Sequence, residues 1–208
     1  MKKPLALGVL GWVALTSSSF AADGYIRLDN YNSADIGGPP ITYGFNVPAN
    51  GVGGTLGTPG SGLLSGWTVG IYFVVGTPSI SDPAGDGIPN VQLTLGTGPG
   101  STVSMYNSAF NTPGEFFSSS GFDCGGNAGD TITAEIVVYN SAASSYATAT
   151  FRAHSAPFTM PTIVGSNPLF PRVGDYMPGF SVSVPEPATM TLAGFGGLSL
   201  LLFLRKKA

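Results

Sequence analysis

The 208-residue chain has one cysteine and one histidine, and only 9% of its residues are charged, against roughly 25% in ordinary soluble domains. A single thiol cannot close a bridge within the chain, so no disulfide framework holds it. Eight Lys and Arg stand against eleven Asp and Glu, which excludes a nucleic-acid binder built on a basic patch. No phosphate loop, zinc-ligand spacing or dinucleotide fingerprint occurs, because the glycine-rich stretches do not stand between a strand and a helix. No interior segment keeps a 3.6-residue apolar stripe over three turns, so a helical body is excluded as well. Lysine is missing from the whole interior: the only lysines are Lys2, Lys3, Lys206 and Lys207.

Glycine (31) and proline (17) are plentiful, while 43% of residues are hydrophobic and 11% aromatic. That apolar content is enough to offset chain entropy by burial, so the glycines and prolines read as turns rather than as disorder. Charge is partitioned along the chain. Both ends are basic, and residues 22–185 hold ten acidic and three basic residues, a net of −7.

Each basic end adjoins an apolar run. Lys2 and Lys3 precede an apolar stretch from Leu5 to Leu15 and a small, polar exit through Ser19-Phe20-Ala21-Ala22. This three-part order is a secretory signal peptide over residues 1–21, cut by signal peptidase between Ala21 and Ala22. At the other end, residues 188–204 are uncharged and mostly apolar. As a helix they reach about 25 Å, the short end of a bilayer core. Arg205, Lys206 and Lys207 follow as a membrane-stop cluster, which the positive-inside rule keeps cytoplasmic.

The order Val184-Pro185-Glu186-Pro187, a short Gly/Leu-rich span and a terminal Arg-Lys-Lys closely resembles the PEP-CTERM sorting signal, a segment also catalogued as the ice-binding protein C-terminal domain. The resemblance covers residues 183–208. It implies recognition near Pro185-Glu186-Pro187 by exosortase, a membrane-embedded processing enzyme, and an origin in an exopolysaccharide-producing bacterium of Gram-negative type. It implies nothing about ice contact. The start of the span is more polar than a Leu/Ala-rich example, through Thr189, Met190 and Thr191.

Between the ends, period-2 alternation dominates. Residues 67–75, 131–139 and 146–152 alternate over their length, and shorter runs at 25–31, 91–95, 101–106, 115–118, 158–163 and 180–184 fit further strands. Turn clusters such as Gly37-Gly38-Pro39-Pro40 and Gly98-Pro99-Gly100 separate them. The expectation is an all-β protein: an antiparallel β-sandwich of about nine strands over residues 22–163, with a signal peptide before it and one hydrophobic helix at the C-terminus. Residues 47–66 read as a mobile loop and 164–182 as a linker toward the membrane.

Candidate chemistry is sparse. His154, the sole imidazole, ends an expected strand, and no Gly-x-Ser-x-Gly elbow supplies a nucleophile for it. Cys124 stands beside Asp123, whose charge opposes thiolate formation. The loop Asp82-Pro83-Ala84-Gly85-Asp86-Gly87-Ile88-Pro89-Asn90 resembles thrombospondin type 3 calcium repeats and would offer Asp82, Asp86 and Asn90. Ala84 vacates the middle ligand position and no repeat follows, so a plain turn without metal is expected, and Ca²⁺ should leave the melting temperature unchanged. Glu115 and Glu135 have no spacing that marks a glycosidase pair. Trp67, Tyr72 and Tyr139 could stack on sugar rings, although one face of such strands must be core.

These readings describe an exported, non-enzymatic envelope or extracellular-matrix protein, structural or biofilm-associated, without cofactor. Its partners would be signal peptidase, exosortase and the membrane, with a polysaccharide matrix possible and no nucleic acid. A carbohydrate-binding module for exopolysaccharide is the alternative, and a β-rich hydrolase centred on His154 the third reading.

Overall fold

The computed structural model describes residues 23–32, 34, 37–106, 112–165 and 169–184. The signal peptide, Pro185-Glu186-Pro187, the apolar run 188–204 and the basic cluster lie outside these residues. Eleven strands form among the described residues: β1 Gly24–Arg27, β2 Ile41–Tyr43, β3 Trp67–Val75, β4 Thr94–Leu95, β5 Thr102–Ser104, β6 Gly121–Asp123, β7 Thr131–Asn140, β8 Arg152–His154, β9 Phe158–Pro161, β10 Ile163–Val164 and β11 Phe180–Val182. No helix among them is long and apolar enough to cross a membrane.

The centre of the fold is the antiparallel pair β3 and β7, in continuous register from Trp67 opposite Asn140 to Val75 opposite Ile132. Alternation explains why these two strands form. Trp67, Val69 and Ile71 of β3 and Ile132, Ala134, Ile136 and Val138 of β7 are buried on one shared face. Short strands complete the sheet in tandem: β4 and β5 share the outer edge of β3, while β8 and β9 share that of β7.

Two smaller sheets cover this face. One has the order β10-β1-β6, and the other is the pair β2 and β11, which run parallel. Ile26 and Phe122 from the first and Ile41, Tyr43, Phe180 and Val182 from the second enter the same core as the β3 and β7 residues. The Phe73 ring meets Phe122 edge-on at 5.4 Å, and the Tyr43 ring meets Trp67 at 6.3 Å, so aromatic pairs join both small sheets to the large one. The all-β reading holds, with more and shorter strands than expected and one parallel pair among antiparallel ones.

Three local expectations are corrected. Residues 146–152 do not form one strand: Tyr146–Thr148 is a 3-10 turn, and the strand begins at Arg152. The Tyr146 hydroxyl donates to the Gly87 carbonyl at 2.7 Å, which anchors the turn across the sheet rather than along it. Residues 47–66 are tied down, since Val47 and Leu63 are fully buried and Pro48 bridges Leu56. The described residues of 164–182 pack into the body and do not behave as a linker. Val164 lies in β10, and Val173, Met177, Phe180 and Val182 join the core. A side chain at Gly174 would run into the backbone of Asn30 and Tyr31, so this segment lies against the turn after β1.

Candidate functional site

The back of β7 carries the charge that its front excludes. Val137 pairs with His154 of β8, and Glu135 precedes it by one step on the same face. Strand pairing therefore sets the Glu135 carboxylate beside the imidazole, with Oε2 3.5 Å from Nδ1 of His154. Both side chains are buried, at 0% and 2% exposure. Nδ1 also lies 2.9 Å from the Ser155 carbonyl.

The loop 82–90 closes over this pair. Gly85 and His154 exchange two backbone hydrogen bonds, at 2.7 and 3.1 Å, as an added strand would. Arg152 holds the same loop by donating from Nε to the Asp86 carbonyl at 2.9 Å, and the Tyr146 hydroxyl holds Gly87. Gly87 passes close above the imidazole: a Cβ there would sit 3.8 Å from Nε2. The Asn90 N–H points at Oε2 of Glu135 from 3.4 Å.

Asp82, at the start of the loop, completes the cluster. One ligand atom each from Asp82, Glu135 and His154 lies within 4.8 Å of the other two. Oε1 of Glu135 is buried and has no hydrogen-bond partner. Burial first, and then the neighbouring Asp82 carboxylate, push Glu135 up to about 7, against the opposing Asn90 N–H.

The three loop residues weighed as calcium ligands part company. Asp82 turns to the sheet, Asp86 gives its carbonyl to Arg152, and the Asn90 side chain accepts from the Gln92 N–H at 2.9 Å. Glu115 is not near Glu135; it accepts from the Tyr31 hydroxyl at 2.9 Å and the Thr112 N–H at 2.8 Å. Cys124 is buried in the core, and its surroundings push the thiol up to about 12 by burial, with the Asp123 charge adding to it. Trp67 is fully buried and donates to the Ala49 carbonyl, so it offers no sugar platform. Tyr72 and Tyr139 are half-buried, and each meets Tyr146 edge-on at 6.2 Å.

Sequence reasoning weighed Asp82, Glu135 and His154 separately and did not join them. The signal that joins them is cross-strand register, which no single segment contains.

At the C-terminal edge, Ser183 bridges Arg152 and Val184 packs against the core, so the described body ends directly after β11. Residues 183–207 match the PEP-CTERM protein-sorting motif. That signal marks the chain as exported, sorted by exosortase and associated with the cell envelope. No curated protein and no solved structure matches the chain.

Proposed function

Starting from a sorting motif that begins where the last strand ends, we propose that this is a non-enzymatic component of the cell envelope or extracellular matrix, structural or biofilm-associated. The observation that carries the reading is the match of residues 183–207 to the sorting motif. In this account signal peptidase removes residues 1–21. Residues 188–204 then hold the precursor in the inner membrane, with Arg205, Lys206 and Lys207 on the cytoplasmic side. Exosortase acts near Pro185-Glu186-Pro187. A cut there falls beyond Val182, whose side chain is fully buried, so processing leaves the core whole.

A structural role is favoured by where the imidazole sits. A general base must reach a substrate, whereas His154 is 2% exposed and lies under the 82–90 loop. The lysine-free, weakly charged body suits a surface of hydroxyls, amides and backbone, compatible with a hydrated polysaccharide layer.

Replacing Pro185, Glu186 and Pro187 together by alanine in the producing cell tests the sorting step. The variant is expected to accumulate in the membrane fraction at precursor mass and to disappear from the surface. An unchanged distribution would contradict the reading.

A further inference from the structure

We propose that Asp82, Glu135 and His154 form a binding site for one divalent transition-metal ion of the zinc class, which pins the 82–90 loop to β7 and β8. The three side chains come from a loop and two paired strands, and their ligand atoms lie within 4.8 Å of one another. Zinc-to-ligand bonds of about 2.0–2.2 Å place neighbouring ligands roughly 3–4 Å apart, so small side-chain movements close the site.

A second observation points to a ligand independently of this grouping. Oε1 of Glu135 is buried without a hydrogen-bond partner on a side chain that is 0% exposed. An orphaned carboxylate oxygen in a protein interior is costly to maintain, and a cation is the partner that answers it. Two carboxylates facing one imidazole also leave a local negative excess, which a divalent ion neutralises.

The supporting contacts fit metal ligation. The imidazole meets the cluster through Nδ1, 3.5 Å from Oε2 of Glu135 and 2.9 Å from the Ser155 carbonyl. With Nδ1–H given to that carbonyl, Nε2 is the nitrogen left with a lone pair, and a modest turn of the ring would bring it to a metal. Nε2 faces Gly87, where no side chain intervenes. The Asn90 N–H steadies Oε2 of Glu135.

Ligand type selects the ion. Ca²⁺ takes six to eight oxygens, whereas the cluster offers two carboxylates and one imidazole, and the Asn90 side chain is engaged with the Gln92 N–H. One imidazole with two carboxylates suits Zn²⁺, with Mn²⁺ weaker by the usual divalent order. Asp82 is half-buried, so the cluster adjoins solvent on its side. An ion held here is structural: it fastens a loop that otherwise hangs on Gly85, Arg152 and Tyr146.

The test uses the full chain in detergent, stripped with a chelator and titrated with zinc chloride, manganese chloride or calcium chloride alone. The expected result is one Zn²⁺ per chain at micromolar affinity or tighter, with the melting temperature raised by several degrees. Asp82→Asn should weaken zinc at least tenfold without lowering the chelated melting temperature, since it removes a carboxylate that repels Glu135, and Glu135→Gln should weaken zinc similarly. Co²⁺ bound to the unmutated chain should give visible absorption of a four- or five-coordinate site, a readout that needs no variant to fold. Substoichiometric zinc would overturn the proposal. So would full zinc affinity in a folded Asp82→Asn chain, or equal stabilisation by Ca²⁺.

Discussion

Asn30 and Phe116 are joined by two reciprocal hydrogen bonds: the Asn30 N–H donates to the Phe116 carbonyl at 3.2 Å, and the Phe116 N–H donates to Oδ1 of Asn30 at 2.9 Å. The amide side chain thus takes the place of a strand partner where the chain leaves β1. Its Nδ2 donates to the carbonyls of Gly114 and Pro39, at 3.0 and 3.1 Å, so one fully buried residue secures three segments. Truncation leaves the Phe116 N–H and the Pro39 carbonyl without this partner, while the Gly114 carbonyl keeps the Ile41 N–H at 3.0 Å. Asn30→Ala is expected to cost about 2–4 kcal/mol, beyond an ordinary net hydrogen bond, because buried groups are stranded. Urea unfolding followed by tryptophan fluorescence measures it. A loss under about 1 kcal/mol would show that the network is dispensable.

The segment after β10 belongs to the body, and its side chains should behave as core. Met177 is 2% exposed among the core residues. Met177→Ala is expected to destabilise by about 2–5 kcal/mol. Val91→Ala, at a side chain 96% exposed, should stay within about 0.5 kcal/mol. Equal, small effects at both positions would return residues 164–182 to the status of a linker.

Burial protects Cys124 twice. The side chain is 4% exposed, and its thiol is held up to about 12, so thiolate is scarce at neutral pH. Iodoacetamide at pH 8 is expected to leave the native chain unmodified and to alkylate it once on unfolding in urea. Rapid alkylation of the native chain would contradict the placement of this residue.

Buried and half-buried phenols set a limit at high pH. Desolvation raises Tyr146, Tyr72 and Tyr139, with Arg152 opposing at the first two, and raises Tyr31 to about 12 with the Glu115 carboxylate adding to it. A folded-state value above the unfolded one means that the native state holds its proton longer. Their contribution is therefore complete below about pH 10, the unfolded value for tyrosine, and is lost as pH rises through the folded values. Phenolate absorbance should rise together with loss of the β-sheet circular dichroism signal. Full titration near pH 10 with the fold intact would contradict this.

The long strands were legible in the sequence, and so were several short ones: β1, β4, β5, β9 and β11 fall within or overlap the expected runs. Residues 67–75 match β3, and 131–139 fall one short of β7, because alternation over nine positions outweighs any local competitor. β2 and β6, three residues each, are too short to show a period, and they exist through pairing with β11 and β1. Residues 146–152 alternate well enough for a strand, yet Tyr146 is drawn to Gly87 and Arg152, a tertiary contact that overrides propensity. The candidate site was illegible for a related reason. Glu135 and His154 meet through the register of β7 with β8, and Asp82 arrives on a loop fastened to that edge by Gly85. The sorting signal was the opposite case: its order is contiguous, so residues 183–207 were recognisable without a fold.

The intact mass of the protein recovered from the surface of its producing cell tests the central claim most directly. The account predicts a chain that starts at Ala22 and ends near Pro185-Glu186-Pro187, with the β body complete through Val182. A mass that retains residues 188–208 would contradict removal of the tail and make the segment a permanent anchor.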